Sequence, residues 1–349
     1  MNRMKLGEIL SVKHGWAFKG EYFAEDGEQS ILTPGNFFEK GGFKPNNGKE
    51  RYYTGTYPKE YLCHKGDLIV AMTQQAEGLL GSTALVPENN KYLHNQRIGL
   101  ITCDEKRLNK LFAYYLFMTK SVREQLERSS SGTKVKHTSP EKIYDVEVEI
   151  PDVISQQKIA NLLWAIDEKI ANNNAINDNL EQQAKLIYDY WFTQFDFPDE
   201  NGKPYCSSGG KMVWNEQLKR NIPENWNVVP LLKLVSWESN SQPPKSEFVY
   251  EPKEGYVRFI QNRDYDSDTH ITYIPRTKNL SIVDRFDILM DKYGDAGAVR
   301  YGIEGAFNVA LGKICVHNPN YREYIRSFLG SDGIYKFIVS VADGRLTVH

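Results

Sequence analysis

From Ser155 to Phe195 the chain runs 41 residues without a glycine or a proline, and no other feature restricts the fold as much. Turns and loops lean on those two residues, so the run is the territory of one continuous element. Its apolar side chains recur by sevens at Ile159, Ile166, Leu180 and Ile187, with Asn173 in the middle place. A second row, Leu162 with Leu163, Ile170, Ile176, Ala184 and Trp191, runs beside the first. That period belongs to a helix with a coiled-coil face. At 1.5 Å per residue it would be about 60 Å long, more than one small domain needs. A long helix packed along its own domain is the plainer alternative. A lone Asn in such a seam sets register or partner orientation. The sequence therefore predicts a spacer whose seam, Ile159, Ile166, Asn173, Leu180 and Ile187, faces a partner.

The flanks differ from the spacer. At 349 residues the chain has room for two domains, each with its own core. In residues 1–150, apolar runs of strand length such as Asp67-Leu-Ile-Val-Ala-Met72 and Ile98-Gly-Leu-Ile101 alternate with turn signals at Gly41-Gly42, Asn46-Asn47-Gly48 and Asn89-Asn90. Lys106 to Arg128 carries apolar residues at helical spacing and reads as one helix. The fold class is α+β: two similar mixed α/β domains, 1–150 and 222–349, separated by a spacer over 151–197. A connector rich in Pro, Gly, Asn and Ser fills 198–221, before Ile222-Pro-Glu-Asn-Trp226 opens the second domain.

The two domains repeat one another. Leu6-Gly-Glu-Ile-Leu-Ser11 matches Leu231-Leu-Lys-Leu-Val-Ser236, and Ile31 to Asn36 parallels Val257 to Asn262. Gly66-Asp67-Leu-Ile-Val70 matches Phe286-Asp287-Ile-Leu-Met290, Gly81 falls near Gly297 and Asn95 near Asn308. Gly132-Thr-Lys-Val-Lys-His137 parallels Gly344-Arg-Leu-Thr-Val-His349. The offsets, 225, 226, 220, 216, 213 and 212, drift one way, as shorter loops in the second copy require.

Charge sharpens the division. The net charge is −2, yet residues 1–150 hold 21 Lys and Arg against 19 Asp and Glu, residues 151–200 hold 3 against 9, and residues 201–349 hold 19 against 17. Both flanks are mildly basic, which is compatible with nucleic acid. Four scattered cysteines (Cys63, Cys103, Cys206, Cys315) read as reduced core residues, and no apolar run is long enough for a membrane span, so a cytoplasmic protein is expected. Catalytic signatures are missing. The seven histidines show no metal spacing, and there is no phosphate-binding GxxxxGK[ST] loop. Asn318-Pro-Asn-Tyr321 departs from an amino-methyltransferase loop at Asn320, and Glu251-Pro-Lys253 has no nearer upstream Asp than Asp199, across the connector.

Several motifs together resemble the specificity (S) subunit of type I restriction–modification systems. They are Val148-Glu-Ile-Pro-Asp152, Gln156-Gln-Lys-Ile-Ala160, Ile166-Asp-Glu-Lys-Ile170, Trp191-Phe-Thr-Gln-Phe-Asp-Phe-Pro198, Ile222-Pro-Glu-Asn-Trp226 and the Gly-Asp-Leu-Ile block at 66–69. The resemblance implies two target-recognition domains, each reading half of a split double-stranded DNA target and catalysing nothing. It implies methyltransferase modification subunits docked on the helices, with restriction motor subunits beside them. S-adenosylmethionine, ATP and Mg would sit on those partners, with no cofactor or metal in this chain. It also implies a second spacer helix that should follow the second domain. With none after His349, the seam is expected to be covered in trans, by a self-dimer or a modification subunit.

Base edges are read by Arg, Lys, Asn and Gln on geometric grounds. The candidate readers are therefore Lys19, Asn36, Thr73, Gln74, Gln75, Lys134 and Lys136 in the first domain. In the second they are Gln261, Asn262, Arg263, Lys292, Tyr293 and Arg300. Two other readings stay open: a duplicated protein-interaction scaffold, and the recognition half of a split or fused restriction–methylation enzyme.

Overall fold

The computed structural model describes residues 2–46, 48–74, 78–132, 135–266 and 270–341, and the chain divides into two compact units, Met1–Ala175 and Ile176–His349. The first unit opens with β1 (Asn2–Lys5), β2 (Leu10–His14), β3 (Phe23–Ala24), β4 (Ser30–Ile31) and β5 (Tyr52–Tyr53). Then come β6 (Leu68–Ala71), β7 (Thr83–Leu85), β8 (Tyr92–Leu93) and β9 (Ile98–Cys103). Helices α1 (Lys110–Leu116), α2 (Lys120–Ser129) and α3 (Pro140–Tyr144) precede β10 (Glu147–Ile150). Strands order as β2-β9-β6-β7 in one antiparallel sheet and β3-β5-β4-β8 in another, where β4 and β8 run parallel; β1 pairs with β10.

Strand β6 is apolar throughout because both its faces are covered. Its side chains alternate between faces. Leu68 and Val70 pack with Phe117, Val122 and Leu126 of the helical layer. Ile69 and Ala71 pack with Leu32, Tyr92 and Ile98 on the other side. The turn into β6 is closed by Asp67, whose carboxylate accepts the His64 N–H at 2.8 Å.

The single helix expected over Lys106–Arg128 is two. Asn109 caps α1 by accepting the Phe112 N–H at 2.9 Å. Buried Phe117 ends that helix, and Thr119, extended at φ −66° and ψ 145°, donates its hydroxyl to Leu116 O at 2.7 Å before α2 begins. The periodicity runs through the break because both helices bury their apolar faces against the same sheet.

Helix α4 spans Val153–Tyr188, 36 residues, followed by a π turn over Asp189–Thr193. Asp152 caps it, taking the Ile154 and Ser155 N–H groups at 3.1 and 3.0 Å. Gln156 is fully buried: its Oε1 accepts Asn109 N–H at 2.9 Å, and its Nε2 donates to Arg107 O at 3.0 Å and Pro151 O at 2.9 Å. Ala160, one turn on, is buried too, and Asp167 accepts the Tyr115 hydroxyl at 2.7 Å. The seam is exposed: Ile159 at 42%, Ile166 at 49%, Leu180 at 56% and Ile187 at 49%, with Asn173 exposed between them. No helix among the described residues is long and apolar enough to cross a membrane.

The stretch expected as a bare connector carries structure. In the second unit β11 (Met212–Asn215) and β12 (Arg220–Pro223) form a hairpin. Phe197 stacks on Trp226 and Tyr205, and the Arg220 guanidinium lies 4.6 Å over the Phe195 ring. Asp196 is buried and accepts both the N–H and the hydroxyl of Ser207.

The rest of the second unit comprises β13 (Val235–Glu238), β14 (Tyr256–Ile260), β15 (Tyr273–Pro275), β16 (Ile282–Val283), β17 (Ile288–Asp291) and β18 (Val299–Arg300). It continues through β19 (Gly305–Phe307), β20 (Leu311–Val316), α5 (Arg322–Leu329) and α6 (Asp332–Val341). Its antiparallel sheet, β13-β20-β17-β18, reproduces β2-β9-β6-β7 strand for strand, and β14 runs parallel to β19 as β4 does to β8. The Asp67 turn returns as Asp287 accepting the Asp284 N–H at 3.0 Å. The duplication is real. Its register is corrected at one point: Asn36 accepts the Thr33 N–H at 2.8 Å just as Asp264 accepts the Gln261 N–H at 3.1 Å, so Asn36 corresponds to Asp264 and not to Asn262. The Gly344–His349 segment of the repeat lies outside the described residues.

Candidate nucleic-acid interface

Beyond β6 the main chain is gripped from two sides. Met72 N–H donates to Arg97 O at 3.0 Å, Thr138 N–H donates to Met72 O at 2.9 Å, and Gln74 N–H donates to Lys136 O at 2.9 Å. Three segments distant in sequence, 72–74, 95–97 and 136–138, thus lie side by side. Gln96, Arg97 and His137 are exposed there, and Gln74 and Lys136 are half-buried. The His14 ring stands 3.3 Å from Gln96 O. Lys136 is ion-paired with Glu127. Next to Gln74 opens a cleft of about 250 Å³ lined by Glu39, Lys40, Met118, Arg123 and Glu127 among others.

The expected readers of this unit fare unequally. Gln74 and Lys136 come together. Thr73 is buried, with its hydroxyl 3.1 Å from His137 Nδ1, so it shapes the ladder and offers nothing to a ligand. Asn36 is 2% exposed; its Oδ1 is taken by Thr33 and its Nδ2 donates to Lys44 O at 3.3 Å. A buried amide with these partners holds the turn, which corrects its assignment as a reader. Lys19 is exposed at the start of the 3₁₀ turn Gly20–Tyr22. Gln75 and Lys134 lie outside the described residues. Gln96 and Arg97 were missed. They stand in a turn without an apolar run before it, and only the non-local bond from Met72 brings them to the cluster.

The second unit builds the same place differently. Lys292 N–H donates to Ala310 O at 2.8 Å, the counterpart of the Met72–Arg97 bond. Val309 and Ala310 stand where Gln96 and Arg97 do, so the polar groups come from the 3₁₀ turn Asn262–Tyr265 instead. Asn262 Nδ2 donates to Tyr293 O at 3.4 Å, which brings that turn against the loop after β17. Arg263 and Tyr293 are exposed and Lys292 is half-buried, its ammonium pushed down by desolvation. Gln261 spends its amide on Thr272 at 3.1 Å. Arg300 is committed as well: it donates to fully buried Asp291 at 3.0 Å and lies 3.5 Å from Asp295. Freeing Arg300 for a base would strand a buried carboxylate, so the geometry corrects its assignment too.

What each unit offers, then, is a polar turn cluster beside the end of its central strand, with amide and guanidinium groups able to make paired hydrogen bonds. Residues 1–182, just over half of the chain, match the family model described as type I restriction modification DNA specificity domain, and the chain belongs to that family. Among curated relatives it is 32% identical over 140 residues to the type I restriction enzyme MjaIX specificity subunit of Methanocaldococcus jannaschii, covering 40% of this chain and 30% of that protein. To the MjaVIII specificity subunit of the same organism it is 22% identical over 191 residues, covering 54% of this chain and 45% of that one. The matches span less than half the length of these relatives. The crystal structure of a type I restriction–modification system S subunit from M. genitalium superposes with a TM-score of 0.58 at 17% identity, over 97% of this chain and 79% of that one, a likeness of fold.

Proposed function

We propose that this chain is the DNA-reading specificity subunit of a type I restriction–modification complex and is itself non-catalytic. Each unit reads one half of a bipartite double-stranded target through the cluster beside β6 or β17. Lys and Arg side chains on the rims contact phosphates and set orientation, while Gln74, Gln96, Arg97, Arg263 and Tyr293 approach base edges. Methyltransferase and restriction subunits are the partners, and S-adenosylmethionine, ATP and Mg act on them. The observation that carries the reading is the repetition: one β-framework, twice, with a polar turn cluster at the same place and different side chains in it. Two copies of one strand framework that carry different side chains at the same turn cluster suit two different half-sites. The test is selection from a randomised double-stranded library with the full chain, read by sequencing, together with methylome sequencing of the host with and without the gene. A preferred split sequence is expected, and Arg263→Ala should relax one half only. Equal binding of all sequences refutes the reading.

The helix seam fits a second copy of the chain. Its apolar positions are mirrored about Asn173, Ile159 with Ile187 and Ile166 with Leu180, and so are Ile170 and Ile176 of the adjoining row, each pair equidistant from that residue. A two-fold interface demands such self-complementarity, residue i meeting j as j meets i. An antiparallel pair of α4 helices with Asn173 on the axis satisfies it.

A further inference from the structure

We infer that Arg123 and Tyr335 are positioning residues for DNA reading, fixing the segment behind the central strand of each unit in its reading geometry. The inference rests on the function proposed above. Arg123 is the fourth residue of α2 and Tyr335 the fourth of α6. From α2, the Arg123 guanidinium donates to Gly78 O at 3.0 Å, Leu80 O at 2.7 Å, Glu39 O at 3.2 Å and Phe117 O at 2.8 Å. From α6, the Tyr335 hydroxyl donates to Asp295 Oδ1 at 2.6 Å. Gly78 and Leu80 lie between β6 and β7, and Asp295 lies between β17 and β18, so the same helix position grips the same loop in both copies.

A second contact recurs three residues further along. A Cβ at Gly81 would come within 2.5 Å of Leu126, and one at Gly297 within 2.9 Å of Ile338, each from the seventh residue of its helix. Both glycines have positive φ, 75° and 93°. Apolar contact alone would pack helix to sheet. The polar grip adds direction, and Arg123 bears a cost for it: burial pushes its guanidinium down to about 10. What the grip orients is close by. Gln74 shares its cleft with Arg123. Asp295 is shared with Arg300, whose other carboxylate, Asp291, closes β17 immediately before Lys292 and Tyr293.

The experiment uses the full chain and a double-stranded library randomised at both half-sites, with the bound fraction sequenced. Arg123→Lys keeps the charge and loses the fork; Tyr335→Phe loses one oxygen. Arg123→Lys should cut base preference in one half-site by about tenfold, the value of one good bidentate contact, and leave the other unchanged. Tyr335→Phe should blunt the opposite half-site, and binding to random DNA at low salt should hold within about twofold for both, as a phosphate-driven term does. Unchanged preference in both variants overturns the inference, and so does uniform weakening with preference intact, which is what a purely structural loss produces. If Arg123→Lys does not fold, Tyr335→Phe carries the test alone. A wild-type chain without a preferred sequence overturns the DNA-reading function itself, and this inference with it.

Discussion

Replacing Ile166 by Asp tests the proposed antiparallel pairing of α4. Ile166 is 49% exposed, so pairing buries roughly half of a side chain whose full burial is worth about 1.5–3 kcal/mol, or about 1 kcal/mol returned. A carboxylate in its place must in addition leave water against Leu180 of the second copy, at about 2 kcal/mol even with partial solvation. The two-fold axis doubles everything, since each dimer contains the site twice. The loss is then about 6 kcal/mol, roughly four orders of magnitude in dissociation constant. Sedimentation equilibrium from 1 to 100 μM reads this directly, with circular dichroism confirming that the helix persists. Wild type should run as a dimer and Ile166→Asp as a monomer. A monomeric wild type at about 100 μM, or a variant with unchanged mass, refutes the mirrored-seam reasoning.

Gln156→Leu should destabilise the first unit by about 3–5 kcal/mol in urea melts, because Asn109 N–H, Arg107 O and Pro151 O lose buried partners together. Gly81→Ala should cost about 2 kcal/mol in the same assay, from a residue forced to φ 75° and a Cβ crowding Leu126. His94 is buried with Nε2 bonded to Ile98 O at 2.8 Å, and desolvation lowers its pKa to about 4. The unfolded state takes up its proton near pH 6.5, before the folded state does, so stability is full above that pH and falls towards pH 4. Between pH 7 and 5 the loss should be about 2 kcal/mol, and His94→Gln should flatten that slope.

Much of the architecture was legible because it is written in local pattern. The unbroken run announced α4, and the drifting offsets located both copies of the sheet, since strands and turns hold their spacing while loops shrink. The two-residue slip at Asn36 has a physical cause: a capping side chain needs only an acceptor oxygen, so Asp264 does the work of Asn36, and letter matching preferred Asn262. The break at Thr119 was hidden because both helices bury one continuous face. The polar turn cluster proposed to read DNA was the least legible part. Gln74 followed an apolar strand and could be found, whereas Gln96 and Arg97 join it only through pairing across the fold. Asn36 and Arg300 looked like readers by residue type, and burial turned them into scaffold.

The grip of Arg123 addresses only main-chain oxygens. Such a handhold is blind to which side chains those carbonyls belong to, so the bonds survive any substitution along the segment that leaves the path of the main chain unchanged. The second copy is tied through the carboxylate of Asp295, and there a single substitution removes the bond. The tie in the first unit should therefore outlast changes of side chain along its loop, whereas the tie in the second stands or falls with residue 295.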